Sequence, residues 1–162
     1  MDLSLFQRPS RLGSTLETLS RVEFEQPYAL TLTFPATAEA DATLTHAFAS
    51  GDVARFIDAM EAESITPIRR RSGWKFRIVV FSDTSTKGQL RFHLLISNPT
   101  EFSDSQIRFA VIRSQRVLKL NGAAVSTPDW CIDWQGFANN LIDLPAEAVS
   151  YEFGLSQLYG VE

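Results

Sequence analysis

Residues 74–97, WKFRIVVFSDTSTKGQLRFHLLIS, decide the fold class, because two alternating apolar runs flank a polar turn. The first run covers 74–81 and the second covers 89–97, and both are rich in β-branched and aromatic residues. The segment between them, SDTSTKG, has the composition of a turn. The pattern therefore predicts a β-hairpin. Side chains alternate between the two faces of a strand, so one face of this hairpin is apolar; its members are Trp74, Phe76, Ile78, Val80, Leu90, Phe92, Leu94 and Ile96.

The opposite face of the same hairpin is predicted to be basic. It carries Lys75, Arg77, Arg91 and His93. If the apolar face packs on the core, these four side chains share the solvent side of the sheet. The run Arg69, Arg70 and Arg71 lies just before the hairpin and adds positive charge.

The flanking segments predict the remaining elements. YALTLTF, from Tyr28 to Phe34, alternates as a strand and ends at Pro35. Residues 44–62 have helical periodicity, with Ser50-Gly51-Asp52 leaving open whether they form one helix or two. Ser103 is a good N-cap for a helix to about residue 118. A short strand is predicted within 124–132, and helices within 134–141 and 146–158.

This order of elements, β-α-β-β-α-β, predicts an α+β fold in which helices pack on one face of an antiparallel sheet and leave the other face free. Residues 1–27 are predicted to be an N-terminal arm and residues 28–162 a single domain. Cys131 is the only cysteine, which excludes an internal disulfide. Without a long apolar run or a signal-peptide pattern, a cytoplasmic location and no membrane partner are expected.

Charge is distributed unevenly along the 162 residues. Segment 65–120 contains eleven Lys and Arg against three acids, a net charge of +8. The rest of the chain has four Arg against sixteen acids, a net charge of −12, which gives −4 for the whole. A basic centre between acidic segments indicates an anionic partner, or acidic parts of the chain that cover the centre, although such charge blocks also occur without function.

The succession of LTLTF, a helix, a basic hairpin ending in RFHLLISNP, a further helix and a Trp-containing segment resembles the HUH endonucleases. These are rolling-circle replication initiators and relaxases that nick single-stranded DNA. The resemblance implies a strand with two histidines two residues apart that hold a divalent cation against the scissile phosphate. It also implies a tyrosine on a later helix as the nucleophile.

The diagnostic positions depart from that family. His93 falls on the second metal-ligand position and is the candidate metal ligand, but Arg91 falls on the first, where its permanent charge would repel a cation. Phe137, in DWQGFANNL, occupies the tyrosine position and offers no nucleophile. Tyr151 is an alternative candidate for it. The resemblance thus implies a scaffold that is degenerate at its catalytic motifs.

The sequence is therefore compatible with three functions. The first is a catalytically inactive protein that binds single-stranded or hairpin DNA in plasmid or phage replication. Its expected binding residues are Arg69, Arg70, Arg71, Lys75, Arg77, Arg91, His93, Arg108, Arg113 and Arg116. The second is a phage or mobile-element protein that inhibits a host nucleic-acid-binding or defence protein by direct contact. The third is an active nicking enzyme, which alone would need a divalent cation. No other cofactor is expected.

Overall fold

A computed structural model describes residues 21, 24, 26–35, 42–97, 103–118, 123–126, 129–130, 137, 149–152 and 154–157. The fold is α+β, as predicted. Its strands are β1 (Tyr28–Phe34), β2 (Ile78–Thr84), β3 (Leu90–Ile96), β4 (Ala124–Val125), β5 (Asp129–Trp130) and β6 (Ser150–Tyr151). Its helices are α1 (Ala42–Ser64), α2 (Pro67–Arg71) and α3 (Asp104–Ser114), and a short 3-10 turn, Gln115–Val117, follows α3.

The strands form one antiparallel sheet in the order β4-β1-β3-β2-β6, and β5 also pairs with β1. The predicted hairpin is therefore the centre of the sheet, with β3 between β1 and β2. Its turn is shorter than SDTSTKG, since Ser82 and Asp83 belong to β2. Gly88 closes the turn with a φ of 78° and donates its N–H to the Ser85 carbonyl at 2.9 Å.

The face that bears the predicted apolar residues packs against α1 and α3, and it is called the helical face below. The buried cluster joins this face to the α1 residues Ala49, Val53, Phe56, Ile57 and Met60 and to Val111 of α3. Trp74 packs partly against the same cluster and Phe76 lies fully inside it, as the alternation predicts, although both precede β2. Helices α1 and α3 thus pack on the same face of the sheet.

The structure answers two questions about the predicted helices: whether α1 is continuous and where α3 begins. Helix α1 runs through Gly51 without a break. The next residue, Asp52, is buried within the helix, and its carboxylate pairs with Arg55 one turn later. Helix α3 begins at the predicted cap: Ser103 accepts from the Gln106 N–H while the Gln106 side chain accepts from the Ser103 N–H.

The prediction of a helix over 146–158 is wrong for the described part. Ser150–Tyr151 instead forms a strand on β2, and Gln157 exchanges two backbone hydrogen bonds with Ile78, of 2.8 and 2.9 Å. The N–H and C=O groups at the free edge of β2 are satisfied by this pairing, which a helix could not provide. The predicted arm over 1–27 lies largely outside the described residues, and so do Cys131 and, apart from Phe137, the helix predicted over 134–141.

The opposite side of the sheet, called the second face, is not free in its centre. Val79, Phe81 and Leu95 point to this face by the strand register, and all three are fully buried. The expectation of an open basic face is therefore corrected. Among the described residues, no helix combines the length and apolar character that a bilayer crossing needs.

Candidate nucleic-acid interface

The RFH sequence of β3 forms a closed polar network around Asp83 on the second face. Register places Asp83 directly opposite Arg91, and its side chain is only 2% exposed. Arg91 Nε donates to Asp83 Oδ1 at 2.9 Å and its terminal nitrogen donates to Oδ2, a bidentate pair. His93 Nε2 lies 2.7 Å from the same Oδ1, and its Nδ1 lies 3.0 Å from Thr31 Oγ1.

The network holds a carboxylate in its charged form. Burial alone would raise the pKa of Asp83, but hydrogen bonds from Arg91 and His93 outweigh burial and keep that pKa below its ordinary value. The Arg91 guanidinium takes up both carboxylate oxygens. These residues do not fit a divalent cation, because the Arg91 guanidinium already binds the Asp83 carboxylate beside His93 and would repel a second positive charge. In the part of the chain that the structure describes, no group of three or more His, Cys, Asp or Glu side chains could hold a metal ion.

Tyr151, the candidate nucleophile, lies in the same cross-strand row as His93. Phe81 pairs with His93 on one side and with Tyr151 on the other, and Thr31 continues the row on β1. The Phe81 and Tyr151 rings are 5.3 Å apart. Two strand spacings, about 10 Å, thus separate the backbones of Tyr151 and His93. Phe137, at the other tyrosine position, is buried, with 5% of its surface exposed.

Arg77 lies on the second face but far from Arg91. It is opposite Ser97, whose N–H donates to the Arg77 carbonyl, and Ser97 lies six positions after Arg91 along the chain. That spacing corresponds to about 20 Å. Val79, Phe81 and Leu95 fill the interval with buried apolar surface. The basic residues predicted for this face therefore do not form one continuous patch.

The cations of α3 belong to a different side of the molecule and are all paired with acids. Arg108 Nε lies 2.7 Å from Asp104, one turn away on the same helix. Arg113 and Arg116 lie 3.4 and 3.6 Å from Glu63, and so connect α3 and the 3-10 turn to α1. Between them Phe109 and Ile112 are largely exposed.

Helix α2 presents the Arg69–Arg71 run, and local sequence fixes both of its ends. Thr66 caps the first turn through its side chain and Pro67 occupies the first helical position. At the other end Gly73 adopts a φ of 88°, where its N–H and that of Trp74 donate to the carbonyls of Arg70 and Arg69. This Schellman motif turns the chain sharply back toward the helix.

As a result, Trp74 is held beside the helix that precedes it. The Arg69 guanidinium lies 4.6 Å from the centre of the Trp74 ring, a cation–π contact. Arg71 and Lys75, which are close to this pair in sequence, are exposed. Among the described residues, neither Arg71 nor Lys75 has a carboxylate within 4.0 Å, whereas Arg70 pairs with Asp58 at 2.8 Å. Arg69, Arg71, Trp74 and Lys75 are called the α2 surface below.

A cleft of about 370 Å³ opens beside the α2 surface, between α1, α2 and the C-terminal segment. Its lining includes Arg70, Arg71, Trp74, Lys75, Asp58, Glu61 and Gln157. Glu61 is 6% exposed, with Oε2 accepting the Phe76 N–H and Oε1 accepting from Gln157 Nε2, both at 3.2 Å. Burial raises the pKa of Glu61 above its ordinary value, against the lowering effects of these hydrogen bonds and of Lys75 and Arg70.

The sequence pattern did not indicate Asp83, Glu61 or Gln157 as site residues. Asp83 could have been found, because hairpin pairing with a turn centred on residue 87 puts it opposite Arg91. Glu61 and Gln157 meet only through tertiary packing, ninety-six residues apart in sequence. No local pattern points to that contact.

Comparisons with known proteins identify no relative: no family model, curated protein or solved structure matches this chain.

Proposed function

We propose that this protein binds single-stranded DNA through the α2 surface, without cleaving it, in the replication of a plasmid or phage or in its regulation. The observation that carries the proposal is Trp74, which is held against Arg69 and flanked by Arg71 and Lys75. Single-strand binders combine cations that follow the phosphates with flat surfaces on which bases stack. Both tryptophan rings and arginine planes serve as such surfaces.

The ion pairing of the basic residues on the sheet also favours the α2 surface as the place where DNA binds. Arg91 donates two of its N–H groups to Asp83, and both ring nitrogens of His93 already have partners within the protein. A phosphate at Arg91 would have to compete with a buried carboxylate that already binds the guanidinium through both oxygens. We therefore assign DNA contacts to α2 and treat the Asp83 network as a structural centre.

The test is retention of labelled single-stranded DNA by the purified protein, with and without manganese. We expect retention in both cases, an intact oligonucleotide, and loss of affinity with salt of about 0.7 log units per tenfold salt for each phosphate contacted. Absence of retention at low salt would contradict the proposal. Manganese-dependent cleavage or a covalent adduct would instead support the hypothesis of an active nicking enzyme. Hairpin DNA serves as the comparison substrate.

A second candidate function, binding of a host protein, is favoured by the exposed apolar residues of α3. Phe109 is 57% and Ile112 is 65% exposed, and Arg113 lies 5.6 Å from the Phe109 ring. An apolar pair among cations suits a partner surface with an acidic rim around a pocket. A partner protein that binds the wild type but not the Phe109→Ser variant, together with no DNA binding by the isolated chain, would favour this function over the first.

A further inference from the structure

The floor of the cleft beside α2 is rich in hydrogen-bond acceptors. Each Glu61 oxygen accepts one hydrogen bond from the protein, and an ionised carboxylate has room for about four. Gln157 Oε1 is buried and, among the residues described, has no hydrogen-bond partner. The fixed donors nearby, the Phe76 N–H and Gln157 Nε2, are already directed at Glu61.

The upper part of the cleft has the opposite character. Trp74 contributes an aromatic wall, and Arg71 and Lys75 contribute positive charge, with no described carboxylate within 4.0 Å of either cation. A ligand that suits the whole cleft therefore has an anionic end, a flat ring, and an edge with adjacent hydrogen-bond donors. The volume, about 370 Å³, is within the range of small-molecule pockets.

We infer that the cleft holds a guanine base, whose N1–H and N2–H groups donate to Glu61 and Gln157 while its phosphate meets Arg71 and Lys75. This inference rests on the proposed function and adds a base preference to it. The chemistry recognised is that of a guanine nucleotide, either within a DNA strand or free in solution.

Guanine fits this floor better than the other bases because two of its donors stand side by side. Adenine presents one amino group next to a ring acceptor, and cytosine does the same. Thymine presents a single N–H between two carbonyl oxygens. An acceptor that faces Glu61 or Gln157 stays unpaired, and a wrong base in a hydrogen-bonding site weakens binding by about fivefold or more.

The experiment measures binding of short thymidine oligonucleotides that carry one central base, either guanine or adenine, by fluorescence anisotropy. Competition by the free nucleotides GMP, IMP and AMP is measured beside it. IMP lacks only the N2 amino group, so the comparison with GMP tests that contact in the wild-type protein. We expect the guanine oligonucleotide to bind at least about fivefold more tightly than the adenine one, and GMP to compete better than IMP or AMP.

The Glu61→Gln variant changes one acceptor to a donor with little change in shape, and we expect it to bind both oligonucleotides equally. Asp58→Asn is the matched control, because Asp58 lines the same cleft but is exposed and pairs with Arg70. We expect Asp58→Asn to keep the guanine preference. Thermal unfolding of both variants identifies any loss of folding, and the GMP and IMP comparison needs no variant.

The possible failures are distinguishable. Equal binding of guanine and adenine oligonucleotides by the wild type would overturn the base assignment and leave the proposed function standing. Competition among free nucleotides in favour of GMP, without binding of any oligonucleotide, would overturn the proposed function and keep the guanine site as one for a free nucleotide. No binding of either kind would overturn both.

Discussion

Arg91 and Asp83 face each other across the β2–β3 pair and form a bidentate ion pair on a carboxylate that is almost completely buried. His93 shares that carboxylate. The RFH segment is thus a polar centre of the sheet, in which the Arg91 guanidinium binds the carboxylate beside His93 through both oxygens.

We predict that Asp83→Asn destabilises the fold by about 1 to 3 kcal/mol, because it leaves the Arg91 charge partly buried without its counter-charge. Urea unfolding measures this change. Asp104→Asn is the matched control: the Asp104–Arg108 pair is exposed, so we expect less than about 1 kcal/mol. Equal effects of the two substitutions would contradict a structural role for Asp83.

The same network predicts an acid-dependent loss of stability. The folded-state pKa of Asp83 is lower than its ordinary 3.8, so the native state binds the proton less readily than the unfolded state. The contribution of ionised Asp83 to the free energy of unfolding is therefore complete above about pH 5. It falls as the pH drops below the unfolded-state pKa and through the folded-state pKa. Urea midpoints measured from neutral to acidic pH should show a steeper loss for the wild type than for Asp83→Asn. Parallel curves would rule out this linkage.

The contribution of Glu61 to stability should depend on pH in the opposite direction. Its folded-state pKa is higher than its ordinary 4.5, so ionisation weakens the native state as the pH rises from that value through the folded-state pKa. We expect Glu61→Gln to gain stability relative to the wild type between acidic and neutral pH. The difference between the two proteins, measured by thermal unfolding at several pH values, should be smallest at the acidic end. A difference that is constant with pH would contradict the burial effect.

The cap of α3 offers a test of local structure. Ser103→Ala removes the side-chain acceptor for the Gln106 N–H and should cost about 1 kcal/mol. Ser105→Ala, on the exposed side of the first turn, is the control and should change stability by less than about 0.5 kcal/mol. If both substitutions have the same effect in urea unfolding, the capping box does not stabilise α3.

Much of the fold follows from local sequence. The hairpin, β1, α1 and α3 have strong periodicity or caps, which indicate their type and their buried side. The second face could not be assessed in the same way, because its burial depends on segments that cover Val79, Phe81 and Leu95 from elsewhere in the chain. The edge strand Ser150–Tyr151 was also beyond prediction, since a two-residue strand is fixed by its partner β2 rather than by its own sequence.

The candidate site was predictable in composition and not in arrangement. The run Arg69–Arg71 and Trp74 are visible in the sequence, but their stacking depends on the Gly73 conformation. Charge counting also suggested that Arg91 and Arg108 are available to a ligand, whereas each pairs with an acid of its own hairpin or helix. Whether a basic side chain is available to a ligand depends on whether an acid such as Asp83 pairs with it. For Arg91 that pairing follows from the strand register and cannot be read from composition.

If single-stranded DNA binds at the α2 surface, as we propose, the salt dependence of binding should distinguish Lys75→Ala from Lys87→Ala. Both lysines are exposed in the chain, but Lys75 lies at the cleft and Lys87 in the β2–β3 turn. We predict that Lys75→Ala weakens binding and lowers the slope of log affinity against log salt by about 0.7, while Lys87→Ala matches the wild type. A wild-type slope for Lys75→Ala, or a lowered slope for Lys87→Ala alone, would contradict the claim.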